Sequence, residues 1–407
     1  MGWRARLTFV RREGSAPCRT RRKLVEFAAR HAAQRKTIDG PRHRMFNRKG
    51  RFGLATFACV GLAIAISSTV AVAWNRGAVQ SFALIPSGFP MVEGLAVGPD
   101  GKVYSPTFNP TGSGPSQLFT FDPQGHLLKQ VSITGSSPAM LGLAVIPGTT
   151  NALLVIDFGA SQVLMVDPTK DTNNAVPCIT VPSVPTPPGH GLNALTFDAA
   201  GNVYISDSFA GAIWVYTPGK TASTYCSPST PATPWLGPND PTLLPSNGVP
   251  PFGANGVEFN NAGDTMFVCN TAMDWIVKIP VATKTPEVFT NSINGCDGIA
   301  IDRSDHIWAA ANQADEIVVV DSTTGKAIAK LGDFDGVNHG VTNGLLFPAS
   351  PAFSPDGKWL YVTNLELDLR TVTTPPDTTV GSDWTTQVTQ HSIARLTAKI
   401  PPIQSTP

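Results

Sequence analysis

The sequence predicts an all-β fold, a six-bladed β-propeller with four strands per blade. Three observations predict it: a two-strand phrase recurs six times, a third alternating strand follows each copy, and no helical period runs through the body of the chain. The phrase opens with Glu93 in EGLAVGPDGKVYS, Leu141 in LGLAVIPGTTNALLVID, Asn193 in NALTFDAAGNVYISD, Asn255 in NGVEFNNAGDTMFVCN, Asp297 in DGIAIDRSDHIWAA and Ala349 in ASPAFSPDGKWLYVTN. Successive openings lie 48, 52, 62, 42 and 52 residues apart. That spacing, with four strands per unit, belongs to a propeller rather than a solenoid.

The third strands begin at Gln117, Gln162, Ala212, Trp275, Glu316 and Ser392. The last arrives only after a Thr/Pro/Asp-rich loop, 365–390, and little chain remains after it to make an outer strand. The segment from Val79, VQSFALI, is expected to supply that strand and close the ring, since an open ring leaves sheet edges that pair and aggregate.

Before the propeller the composition changes sharply. Met1 to Arg51 carries 16 Lys/Arg against 3 Asp/Glu, whereas the rest carries 14 against 26. Residues 1–51 form a basic leader that is not expected in the mature protein, and Met45 opens a signal peptide of ordinary length. The uncharged run 52–73 follows a basic patch and ends in Ala71-Val72-Ala73, the order of a cleavable secretory signal, with an uncleaved membrane anchor as the alternative. The mature protein is then 74–407, secreted or periplasmic, or else anchored with the propeller outside the cytoplasm. Cys178, Cys226, Cys269 and Cys296 allow three pairings. Strand direction puts Cys269 and Cys296 on one face of adjacent blades, which leaves Cys178 with Cys226.

In a propeller the first strand of each blade lines the central channel, so the six phrase openings form a ring at one face. Glu93, Asn193, Asn255 and Asp297 contribute hard oxygen donors to that ring, a set that suits calcium or another divalent metal. Asn-Gly and Asp-Gly are also ordinary turn signals, but these four residues share one repeat position while the usual turns occupy another. Asp157, Asp207, Asn270 and Asn364 end second strands at the same face. They either orient the ring or simply terminate strands.

With these residues in register, the chain resembles the senescence-marker-protein/gluconolactonase (regucalcin-like) family of six-bladed propellers over about residues 90 to 365. The resemblance implies that Glu93, Asn193, Asn255 and Asp297 bind a divalent metal. It also implies a hydrolase in which that metal polarises a lactone or ester carbonyl and activates water, with Asp297 as ligand and base. His190 and His339, in loops before inner strands, are further acid–base candidates. Two positions depart from the family pattern. Ala194 follows Asn193 where an Asp is common, and Gly191 stands where sugar lactonases often carry Arg.

The alternative is a non-catalytic binding propeller similar to NHL repeats, exported or at the cell surface. No G-x-S-x-G or H-E-x-x-H motif is present, and Gly219-Lys220-Thr221 lacks the earlier glycine of a phosphate loop. The acidic body argues against nucleic acid. A small-molecule substrate and a monomer are expected, with membrane contact only through an uncleaved N-terminal segment.

Overall fold

Each phrase folds as an antiparallel strand pair because its β-branched and aromatic residues alternate while its Pro, Asp, Asn and Gly residues cluster between them. The computed structural model describes residues 76–184, 189–245, 248, 250–371 and 380–401; the leader 1–51 and the segment 52–73 lie outside them. Among the described residues six sheets of four strands make up the six-bladed propeller. Blade 4 is representative, running Ala254–Phe259, Thr265–Asn270, Trp275–Pro280 and Glu287–Thr290 from the axis outward. The core lies between blades, as where Trp308 and Ala310 of blade 5 share one cluster with Leu360 and Val362 of blade 6.

Blade 6 closes as expected. Its strands are Pro348–Phe353, Trp359–Asn364, Ser392–Thr397 and, from the other end of the chain, Gln80–Leu84. Gln80 pairs with Arg395 and Leu84 with Ser392. Phe82 turns inward against Tyr361, ring centroids 4.5 Å apart, while Leu84 faces solvent. Just ahead, Arg76 pairs with Glu316 and Asp333 and so ties the same segment to blade 5.

The inner strands are irregular at one repeated place. Pairing with the second strand slips between Met140 and Leu143, Leu192 and Leu195, Ala254 and Val257, Cys296 and Ile299, and Pro348 and Pro351. Each slip contains the residue that opens the phrase. Beside it, neighbouring inner strands nearly touch: a Cβ on Gly256 would meet the Asp297 carbonyl at 2.5 Å, and one on Gly298 the Ala349 carbonyl at 2.5 Å. Asn255-Gly256 and Asp297-Gly298 are therefore not turns. They sit in bulged strands whose glycines permit close backbone approach.

Two features were not legible as elements. A hairpin, Phe334–Asn338 with Val341–Gly344, separates blades 5 and 6, and the loop 365–390 contains a short helix, Val380–Thr385. The disulfides pair Cys178 with Cys226 and Cys269 with Cys296, the pairing that strand direction predicts.

The closing strand offers an internal comparison. Phe82→Ala should lower unfolding stability in urea by about 3 kcal/mol, the usual cost of emptying a buried aromatic site, whereas Leu84→Ala, at a solvent-facing position of the same strand, should change it by less than about 0.5 kcal/mol. Equal effects would mean that this strand does not seal the ring.

Candidate functional site

The slips in the inner strands turn the phrase openings toward a common space. Glu93, Asn193, Asn255 and Asp297 line one cavity of about 90 Å³, and each is only 4–5% exposed. Leu141 lines the same cavity, and Ala349 is fully buried.

The residue immediately after the second strand holds each ring member of blades 3, 4 and 5. Asn193 Nδ2 donates to Ser208 Oγ at 3.3 Å, Asn255 Nδ2 donates to Thr271 Oγ1 at 2.9 Å, and Asn312 Nδ2 donates to Asp297 Oδ2 at 3.0 Å. The two hydroxyls pass their own protons to the next blade. Ser208 Oγ donates to the Ala254 carbonyl at 2.6 Å and Thr271 Oγ1 to the Cys296 carbonyl at 2.7 Å, one residue before Asn255 and Asp297 respectively. Thr363 Oγ1 makes a like link from blade 6 to the Glu93 carbonyl at 2.6 Å. Each hydroxyl proton is committed onward, so the hydroxyl oxygen must accept from the amide, which fixes the amide orientation. The carbonyl oxygen is then what each asparagine has left to offer a ligand.

The charges are not neutralised by protein groups. Glu93 Oε2, Asp297 Oδ1 and Asn312 Oδ1 are buried without a hydrogen-bond partner. Burial, and then the charge of Asp297, raise the Glu93 pKa well above the ordinary carboxylate range. Burial also raises Asp297 to about 6, against the lowering effect of hydrogen bonds from Asn312 and Asn255. Unpartnered buried carboxylates are costly unless a cation meets them, and two carboxylates with two amide carbonyls form a hard donor set that fits a divalent cation of the calcium type. Among the described residues no group of three or more His, Cys, Asp or Glu could hold a metal. A cation here therefore depends on the amides, with remaining positions filled by water or substrate.

His190 is placed differently. Its Nδ1 lies 2.6 Å from Asp207 Oδ2, its ring packs edge-on against Trp214 at 5.8 Å, and it is not among the residues lining the cavity. Asp207 is itself buried, which acts to raise its pKa, yet hydrogen bonds from His190, the Gly191 amide, Trp214 and the Ala210 amide bring it below the ordinary value. His339 sits at the exposed tip of the hairpin. Asp157, Asp207, Asn270 and Asn364 hold loops and strand ends, as where Asn270 Nδ2 donates to the Thr242 and Leu244 carbonyls. In blades 3 and 4 the ring-orienting role belongs to the next residue along, Ser208 and Thr271, a position legible in the repeat.

Above the polar floor the cavity walls are Phe108, Phe158, Phe252, Phe347, Leu365 and Leu367, with Pro110 and Pro250. Glu366, buried between the two leucines, accepts from Thr342 Oγ1 at 2.5 Å and lies 2.5 Å from His391 Nδ1. That pair pins the wall to the hairpin and to the last strand.

Residues 252–332 match the family model described as the SMP-30/Gluconolactonase/LRE-like region. The family resemblance read from the sequence is borne out. The matched stretch contains Asn255, Asp297 and the Cys269–Cys296 bridge. Among solved structures, the fold is similar to that of a luciferin-regenerating enzyme, at 14% identity and a TM-score of 0.54 over 79% of this chain and 95% of that one. It is also similar to regucalcin from Agrobacterium tumefaciens str. C58, titled a calcium-binding protein, at 18% identity and a TM-score of 0.51 over 81% of this chain and 97% of that one. At such identities the likeness is one of fold. No curated protein sequence matches the chain.

In protein freed of divalent cations the carboxylate pair should oppose folding at neutral pH. The folded state holds the Asp297 proton between the ordinary value of 3.8 and about 6, where the unfolded chain has released it. Stability therefore falls as pH rises through that window. Asp297→Asn should raise the stability of chelated protein at pH 7, by up to about 3 kcal/mol, and flatten the profile between pH 4 and about 6. A destabilised variant with the wild-type pH profile would contradict this.

Proposed function

We propose that the chain is a divalent-metal-dependent hydrolase of a lactone or ester, with Glu93, Asn193, Asn255 and Asp297 holding the cation, calcium in the first instance. One observation carries the reading: four oxygen donors from four blades meet at one buried floor where the carboxylate oxygens Glu93 Oε2 and Asp297 Oδ1 lack any partner. The family match supports the reaction class, because it spans the two blades that supply Asn255 and Asp297.

When bound, such a cation supplies Lewis-acid polarisation of a carbonyl. The chain's own residues do the rest. Asn312 holds Asp297 Oδ2 and so keeps Oδ1 aimed at the floor, where it would hold the cation; the lone pair that Oδ2 has left beside the Asn312 bond is what the carboxylate would offer a proton from an attacking water. Ser208 and Thr271 keep the asparagine oxygens aimed, and the phenylalanine walls exclude bulk water and so strengthen the electrostatics of the floor. His190, tied to Asp207 away from the cavity wall, fixes the loop that enters blade 3. The two disulfides suit an exported protein, secreted or periplasmic.

Purified protein supplied with calcium should turn over at least one member of a panel of lactones and aryl esters, and chelation should lower the rate at least about 100-fold. Asp297→Ala should abolish turnover with its circular dichroism unchanged. If no substrate reacts and calcium moves neither rate nor melting temperature, the reading fails. Thr271→Val, which keeps the shape but loses the hydroxyl, should weaken calcium binding about 10- to 100-fold in a calorimetric titration.

A further inference from the structure

The walls speak to the substrate more directly than the floor does. Among the described residues, every polar side chain lining the cavity belongs to the floor: the four ring members with Thr271 and Asn312. Above them no Lys, Arg, His, Ser, Tyr or Gln among the described residues lines the cavity.

The phenylalanines form a continuous arc across four blades. Phe108 meets Phe158 edge-on at 6.1 Å, Phe158 meets Phe209 at 6.0 Å and Phe252 at 6.3 Å, and Phe209 stacks on Phe252 at 5.5 Å with 20° between the rings. Phe158, Phe209 and Phe252 are only partly buried, so among the described residues a band of apolar surface is left at the entrance. Partly exposed aromatic surface that runs into a concave site is the ordinary mark of an apolar ligand.

Gly191 shows how far this is built in. A Cβ there would meet Phe209 Cδ2 at 2.7 Å and Cγ at 2.8 Å. The Phe209 ring lies on the Gly191 backbone, and any side chain at 191 would displace it. The entrance to blade 3 has been given to an aromatic ring, and a charged clamp is excluded from the same space.

We infer that the site takes a lactone or ester whose remainder is apolar, an alkyl chain or an aryl ring, and rejects polyhydroxylated lactones. The inference rests on the proposed hydrolase for the reacting group and on the walls alone for the rest of the molecule. A hydroxyl-rich ring entering this cavity would leave its hydroxyls without partners, whereas each buried methylene should improve binding about fourfold.

The test compares γ-lactones bearing alkyl tails of increasing length with D-glucono-1,5-lactone. In parallel, a 2-alkylcyclopentanone, which cannot be hydrolysed, is titrated calorimetrically. The expected result is a rise in kcat/KM of about fourfold per methylene over the first few carbons. Gluconolactone should fall at least about 100-fold below the best alkyl lactone. The ketone should bind, and Phe158→Ser and Phe252→Ser should each weaken it about 10-fold or more, with melting curves confirming that the variants fold. Ketone binding without hydrolysis of any lactone would sustain the inference about the walls while removing the hydrolase. Gluconolactone hydrolysed as well as the alkyl lactones would keep the hydrolase and overturn the inference. Tail length without effect on kcat/KM, together with no ketone binding, would overturn it as well.

Discussion

Everything at the axis of this propeller depends on how closely the six inner strands approach one another. At the level of the ring, the backbone of four blades lies against the carbonyl of the next with room for a hydrogen and no more: Gly94 faces the Leu141 carbonyl and Gly142 faces that of Asn193, as Gly256 and Gly298 face theirs, while Ala194 and Ser350 hold that position in the other two. A β-sheet cannot converge this tightly and keep regular pairing, so the inner strands slip at that point. The slip turns the phrase-opening residue out of the ladder and into the axial cavity. Closeness, irregularity and the inward turn of the ligand-bearing side chain are thus one fact seen three ways.

The same constraint explains why the fold was so legible. Alternating strands and turn residues recur because every blade solves the same packing problem, and the six phrase openings fall at one place because only one place in the repeat can face the axis. Asn255-Gly256 was ambiguous in isolation between a turn and a ring position. Register favoured the ring, and the bulged strand accounts for the glycine. The hairpin at Phe334–Gly344 was harder to see, since it lies outside the repeat and its turn, Asn338-His339-Gly340, resembles many loops.

The candidate site was legible in its floor and not in its walls. Oxygen donors announce themselves by residue type, whereas Phe108, Phe158, Phe252 and Phe347 read in sequence as ordinary core. Only the three-dimensional arrangement separates an aromatic residue that fills a core from one that borders a cavity. Asp207 and Asn270 looked like orienting partners because they end strands at the right face. Their side chains are spent on the loops that enter at that face, and the residue after each reaches the ring instead. His190 shows the same limit, because a loop position near the face did not bring its ring to the cavity.

The hydroxyl links have a consequence for how such a protein changes over evolutionary time. Ser208 belongs to blade 3 by sequence but secures the carbonyl beside Asn255, and Thr271 belongs to blade 4 but secures the carbonyl beside Asp297. The repeat that duplicates is the blade, yet the piece that keeps a ligand in place straddles two blades. Recombination at blade boundaries would keep Asn193 with Ser208 and Asn255 with Thr271, but would part Asn255 and Asp297 from the hydroxyl that secures the carbonyl before each. Each of these two ligands is thus held twice, by its own blade through the side chain and by the preceding blade through the backbone, so a blade exchanged alone would bring only half of what fixes its ligand.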